Sequence, residues 1–272
     1  MSLNKKIKID LLISTMNYKD GELVPLLASV PDFVNVIIIN QITDSNKNIS
    51  EAFAISSNII CYSFNELGLS KSRNRALSLM EGDIFVISDD DVVFLPGAFE
   101  KIESAFLANS QQDILTFQMQ KEDGGLRKKY KKKPAQHNLF SIMGVSSCEI
   151  AGRNLPVRSL GVMYDTNFGL GAKYSIGEEV IFLRDCLRSG LNVRFIPISI
   201  STHPEESSGR VFSEKTEFSR GAVFFRLFGS LAYIIGIAFY LKKYKYLTTT
   251  IGFWPAFKAY LSGICDYKKN YT

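Results

Sequence analysis

Four short apolar runs, each closed by a polar loop, restrict this chain to a small set of architectures. They are residues 7–14 (IKIDLLIS), 34–39 (VNVIII), 58–63 (NIICYS) and 83–88 (DIFVIS). Each is short and apolar on successive residues, the pattern of a strand buried on both faces. Helical patterns fall between them. Residues 22–30 carry apolar side chains at helical spacing and stop at Pro31, and residues 70–80 start on Ser70, a good N-cap, and precede Gly82. Strands alternating with helices predict an α/β fold with a doubly wound, mostly parallel sheet. In such sheets ligands bind beyond the carboxyl ends of the strands. The loops at 15–17, 40–44 and 89–91 are predicted to converge there.

The remainder is less regular. Residues 121–133 read as a Gly- and Lys-rich loop, 147–151 as a strand and 192–200 as a final strand. Residues 178–189 read as a helix with Val180, Ile181, Leu183 and Leu187 on one face and Gly190 as its stop. From Ser219 the composition turns aromatic, apolar and basic, which places a boundary near Gly209. The expected organisation is an α/β domain at 1–209 and a C-terminal helical, membrane-associating region at 210–272. A chain of 272 residues with 46% apolar side chains can bury such a core. Cys61, Cys148, Cys186 and Cys265 form no CxxC pair and are expected as free thiols of a reducing compartment. The start MSLNKKIKID lacks the apolar run of a secretory signal, so a cytoplasmic location is expected.

Two clusters carry chemistry. Asp89, Asp90 and Asp91 directly follow a buried strand. Adjacent carboxylates repel, and a hard divalent cation such as Mn²⁺ or Mg²⁺ would relieve them and bridge to a diphosphate. Ser70 opens a helix whose first turns hold Lys71, Arg73 and Arg75, at the end that already carries partial positive charge. Free N–H groups and cations together make an anion site suited to a diphosphate. Glu178 and Glu179 open a later helix, where they either complement its dipole or supply a general base. His203, one of two histidines, is either structural or a metal ligand; His137 is the weaker candidate.

The segments ISTMNYKD, GLSKSRNRAL, GDIFVISDDDVVF and GEEVIFLRDCLRSGLNVRFIP, followed by His203, occur in an order and spacing that resembles family 2 glycosyltransferases of the GT-A fold, over roughly residues 7–204. The resemblance implies an inverting transfer from a nucleotide-diphospho-sugar. It makes Asp89–Asp91 the metal-binding DxD element, with Asp89, Asp91 and His203 as metal ligands and Asp91 the chief one. It implies donor contacts from Thr15, Asn17, Asp44, Lys71, Arg73, Asn74, Asp89 and Asp90. It assigns the catalytic pair to Glu178 and Glu179, with Glu179 as base. Two departures stand out. Residues 40–44 read NQITD where the family has DDGSTD, so the nucleobase is left open, and Glu179 replaces the usual Asp.

The basic run at 127–133 suits a solvated loop, an anionic lipid surface or the diphosphate of a lipid-linked acceptor. No nucleic-acid module accompanies it, so nucleic acid is not expected as a partner. Residues 222–241 are almost wholly apolar, with Lys242, Lys243 and Lys245 beyond them and Phe253, Trp254, Phe257 and Tyr260 further on. That pattern favours helices lying in the membrane interface over a span, with a homodimer interface as the alternative. The expected setting is peripheral or monotopic attachment at the inner face of the plasma membrane, and the expected acceptor a saccharide, lipid-linked, in surface polysaccharide synthesis. The rivals are a nucleotidyltransferase acting on a sugar phosphate and a non-catalytic membrane scaffold that keeps the fold.

Overall fold

A computed structural model describes residues 7–19, 21–43, 50–203 and 212–271. The elements run β1 (Ile9–Met16), α1 (Val24–Ala28), β2 (Val34–Gln41), β3 (Ser50–Ser56), β4 (Ile59–Phe64), α2 (Leu69–Leu79), β5 (Ile84–Asp89), β6 (Val93–Phe94), α3 (Ala98–Ala108) and β7 (Ile114–Gln120). They continue with β8 (Ala135–Gln136), β9 (Ile150–Arg153), α4 (Asn154–Ser159), α5 (Glu178–Arg188), β10 (Val193–Thr202), α6 (Glu214–Phe228), α7 (Ala232–Thr248) and α8 (Phe253–Tyr271). The chain divides into two compact units. One is Met1–Leu67, Lys71–Met163 and Phe182–Glu205; the other is Gly68–Ser70, Tyr164–Ile181 and Glu206–Thr272.

The first unit holds a ten-stranded sheet of order β3-β4-β2-β1-β5-β9-β7-β10-β6, with β8 paired to β10. Its strands β4, β2, β1 and β5 are mutually parallel, as the buried apolar runs predicted. Among the described strands, the parallel arrangement recurs between β7 and β10. β3 joins β4 through a tight turn and β9 inserts between β5 and β7, and both run antiparallel to their neighbours, so the sheet is mixed. The hairpin-length β3–β4 connection permits no other direction for that pair.

β1 is buried at every residue but Met16, because helices and loops cover both faces of the sheet. Ile9, Leu11 and Ile13 join Val36, Ile38, Ile84 and Val86 in one cluster with Phe99, Ile102 and Phe106 of α3. Each such side chain contributes roughly 1.5–3 kcal/mol on burial. Asp10 is the polar exception within β1. Its carboxylate accepts the backbone N–H groups of Glu81 and Gly82 at 2.7 and 2.6 Å, which ties the α2–β5 turn to β1. A buried carboxylate is tolerable when donors fill it in this way.

The second unit is helical. The Ser213 hydroxyl caps α6 by accepting the Thr216 N–H at 3.2 Å. α6 and α8 touch backbone to backbone. A Cβ on Gly221 would run into the Tyr260 carbonyl, and one on Gly263 into that of Phe218. Glu217 is fully buried and is held by Arg220 at 3.1 Å and by the Tyr240 hydroxyl. In the same unit the Tyr174 hydroxyl donates to Asp266 at 2.6 Å, and the Ser175 N–H to Ser219 at 2.9 Å.

Candidate active site

The order β4-β2-β1-β5 reverses direction at β1: the chain winds outward through β2 and β4, then returns to β5 on the other side. The carboxyl ends of β1 and β5 therefore flank a switch point, where loops part and leave a crevice. Thr15 and the three acids lie there. The Thr15 hydroxyl donates to Asp90 at 2.6 Å. Helix α2 packs behind them, with the Ser72 hydroxyl 2.9 Å from that of Ser14.

Arg73 and Asp89 form the centre of this cluster. The guanidinium is 2.8 Å from the carboxylate, with side-chain exposures of 2% and 30%. Ser147 and Cys148, in the turn before β9, donate to the other Asp89 oxygen at 3.4 and 3.3 Å. Burial pushes the Asp89 carboxyl up, but the charge and hydrogen bond of Arg73, with help from Cys148, hold it below the ordinary value. Burial and the Asp89 charge raise Cys148 well above a normal thiol, so it stays protonated and can donate.

Asp91 has a different environment. Its carboxylate is half exposed and 3.2 Å from His203 Nε2. Burial, then the charges of Asp89 and Asp90, push its pKa up, while His203 pulls the other way. His203 directly follows β10, and its N–H bonds to the Gln120 carbonyl at the end of β7. The pair therefore links the carboxyl ends of β5, β7 and β10.

The other predicted residues fall as follows. Asn17 adopts φ +53°, a left-handed conformation that Asn tolerates better than most residues. Its side chain bonds Thr43, tying the β1 and β2 loops together. Asp44 lies outside the described residues. Lys71 is exposed on α2 and Asn74 half-buried. Arg73 is buried and its guanidinium is turned to Asp89. Ser70 is a correction. It lies inside α2, which begins at Leu69, and its hydroxyl donates to the Phe168 carbonyl at 2.6 Å, so it does not cap. The Leu69 N–H is likewise taken, by Leu170 O at 2.8 Å, which removes one of the free amides expected at this helix end. In the second unit, Glu178 is buried and Glu179 half-buried in the first turn of α5. Gly177, just before them, has φ +86°, and a side chain there would strike Val223.

Sequence reasoning missed Ser72, Ser147 and Cys148. Ser72 sits within the motif GLSKSRNRAL and was detectable as a small polar residue one turn from the strand ends. The other two come from a segment whose chain distance from Asp89 left no local signal.

Acids, a buried arginine and a switch-point crevice are shared by several nucleotide-dependent enzymes. A family model for glycosyl transferase family 2 matches residues 12–157, more than half of the chain, including the end of β1, all of α2 and the three acids. This chain belongs to glycosyl transferase family 2. No curated protein matches it. Among solved structures, this family 2 chain is similar to S. aureus TarS. TarS 1–349 in complex with UDP-GlcNAc superposes with a TM-score of 0.60 at 16% identity, over 81% of this chain and 66% of that one. The complex of TarS 1–349 with UDP gives 0.56 at 15% identity, over 82% and 67%. Against the longer TarS chain the values are 0.56 and 14%, and this chain spans only 39% of its length. At such identities the likeness is one of fold, and it confirms the expected GT-A architecture with helices following the α/β core.

Proposed function

We propose that this glycosyltransferase inverts the anomeric centre as it moves a sugar from a nucleotide-diphospho-sugar to a hydroxyl of a saccharide acceptor, lipid-linked, in surface polysaccharide synthesis. The observation that carries the reading is the ring of contacts at the switch point, Thr15 to Asp90, Arg73 to Asp89 and Asp91 to His203. Since S. aureus TarS was solved with UDP-GlcNAc and with UDP, uracil is the first nucleobase to test.

The donor set suits a divalent cation, but in a narrower form than three carboxylates. Asp89 is committed to Arg73, and Asp91 and His203 are the ligands that remain. Among the described residues no group of three or more His, Cys, Asp or Glu side chains gathers as a metal cage. A two-ligand site fits Mn²⁺ or Mg²⁺ when diphosphate oxygens and water complete the shell. Bound there, the cation would offset charge on the departing nucleotide. Arg73 then acts through Asp89, holding the loop that carries Asp90 and Asp91. The exposed Lys71 is the cation left to meet a phosphate. Glu179 takes the proton from the acceptor hydroxyl, the role the family resemblance implies, and Glu178 supports it in the same helical turn.

Membrane attachment rests on the helical unit. Residues Glu214–Thr248 are long and apolar enough to cross a bilayer, with a mean hydropathy of 1.9 over an 18-residue window, but 39% of that window is buried inside the protein. Leu231, Ile234, Ile237, Leu241 and Tyr244 are exposed at helical spacing, beside Lys242, Lys243 and Lys245. An apolar stripe bordered by lysines suits a helix lying on an anionic inner leaflet.

The test is the melting temperature with UDP and other nucleoside diphosphates, each with and without Mn²⁺. Metal-dependent stabilisation by one or two of them, largely lost in Asp91→Asn, is expected. A flat response of the wild type across the panel would overturn donor binding.

A further inference from the structure

A cavity of about 270 Å³ opens in the first unit between the basic loop and strands β7 and β10. Nothing in the donor reading requires it. Its one acid, Glu149, is 2% exposed and already neutralised. Lys128 Nζ lies 2.6 Å from its Oε1, and the Tyr130 hydroxyl donates to the same oxygen at 2.6 Å. The cavity also takes in His137, whose ring nitrogens lie 2.7 Å from the Thr116 hydroxyl and 3.0 Å from that of Ser141. Burial, then the charges of Lys131 and Lys128, hold His137 down at about 4, so it is neutral at pH 7.

Three lysines line this cavity, Lys128, Lys129 and Lys131, against one carboxylate, leaving two positive charges. Those two belong to the exposed Lys129 and Lys131. Two cations match a phosphate monoester, which carries roughly −1.5 to −2 at pH 7. Tyr130 and Phe195 add aromatic lining. Their rings stack on each other with centroids 6.0 Å apart at 4°. Apolar ring carbons beside polar hydroxyls suit a sugar, which presents C–H groups and hydroxyls together.

We propose that this cavity binds a phosphorylated saccharide, its phosphate held by Lys129 and Lys131 and its ring beside Tyr130 and Phe195. The position is informative. Glu149 forms part of the cavity, and its chain neighbour Cys148 donates to Asp89. The turn Ser147–Glu149 is thus a shared wall between the cavity and the acidic cluster. A ligand bound here lies alongside the switch-point crevice, where it can bias the Asp89 side.

The experiment titrates the full chain with glucose 6-phosphate, glucose, inorganic phosphate and phosphatidylglycerol vesicles, following heat and the His137 ring resonances. The comparison is Lys129→Ser/Lys131→Ser, an exposed pair whose loss leaves the fold intact. Glucose 6-phosphate is expected to bind the wild type more tightly than either glucose or inorganic phosphate, to shift the His137 signals, and to bind the double variant at least tenfold more weakly. UDP affinity should be equal in both proteins, which separates this cavity from the donor site. Equal affinity of the two proteins for glucose 6-phosphate would overturn the proposal. So would binding to vesicles alone, which would make the lysines a surface patch. Inorganic phosphate binding as tightly as glucose 6-phosphate would remove the role of the aromatic lining.

Discussion

Arg73→Met tests the centre of the acidic cluster. The substitution keeps much of the side-chain volume but removes the only cation that the described hydrogen bonds place on Asp89. Removing one partner of a buried pair costs roughly 3–5 kcal/mol, because the other charge is left unpaired. Asp89 is 30% exposed and keeps its bonds from Ser147 and Cys148, so the expected loss is smaller, about 2–3 kcal/mol at pH 7. The sign with pH follows from the depressed pKa of Asp89. Its pairing contributes stability above the unfolded carboxylate pKa of about 3.9, and that contribution is lost as pH falls through the lower folded value. The gap between wild type and variant should thus be full at pH 7 and shrink below pH ~4. Asp91, raised by burial and by its neighbours, gains from protonation in the same direction in both proteins. Urea unfolding across pH measures the gap, and a double-mutant cycle with Asp89→Asn isolates the pair. A loss under about 1 kcal/mol at pH 7, or a gap that persists unchanged at pH 3, would refute the account.

Three other outcomes are expected. Gly263→Ala should lower the melting temperature by several degrees, since a Cβ meets the Phe218 carbonyl and overpacking costs about 1–3 kcal/mol; a scan indistinguishable from wild type would mean that α6 and α8 are further apart. Glu179→Gln should slow UDP release from a UDP-sugar by about 10²-fold or more while UDP affinity stays within twofold, as for loss of a general base; unchanged turnover removes Glu179 from the chemistry. Ile234→Glu with Leu241→Glu, both on the exposed stripe, should cut co-sedimentation with anionic vesicles without changing the melting temperature, and undiminished sedimentation would place the membrane contact elsewhere.

The strands that flank the site could be read from the sequence for a simple reason. β1, β2 and β5 are buried on both faces, so their runs are apolar but for residues such as Asp10 and Asn35, and their ends are marked by polar loops. Strand β3 gave no such signal: residues 51–56 are exposed throughout, at the edge of the sheet. Helix α3 was overlooked although Phe99, Ile102 and Phe106 lie on one buried face at helical spacing. At the site, the identity of the acids and of Arg73 could be read, but not their pairing. A cation at a helix start suggests a phosphate clamp, and the structure adds what the sequence does not show, that Arg73 is buried against Asp89. The bonds from Ser147 and Cys148 depend on a contact about sixty residues away in sequence, which no local pattern encodes.

The insertion of β9 between β5 and β7 also matters while the chain is being made. Until residues 150–153 have left the ribosome, β5 has a partner on one side only, and its other edge offers unpaired N–H and C=O groups. Asp89, at the tip of that edge, lacks Cys148 for the same interval. The nascent half-sheet is therefore a template for any strand that reaches it first, and prompt arrival of IAGR closes it.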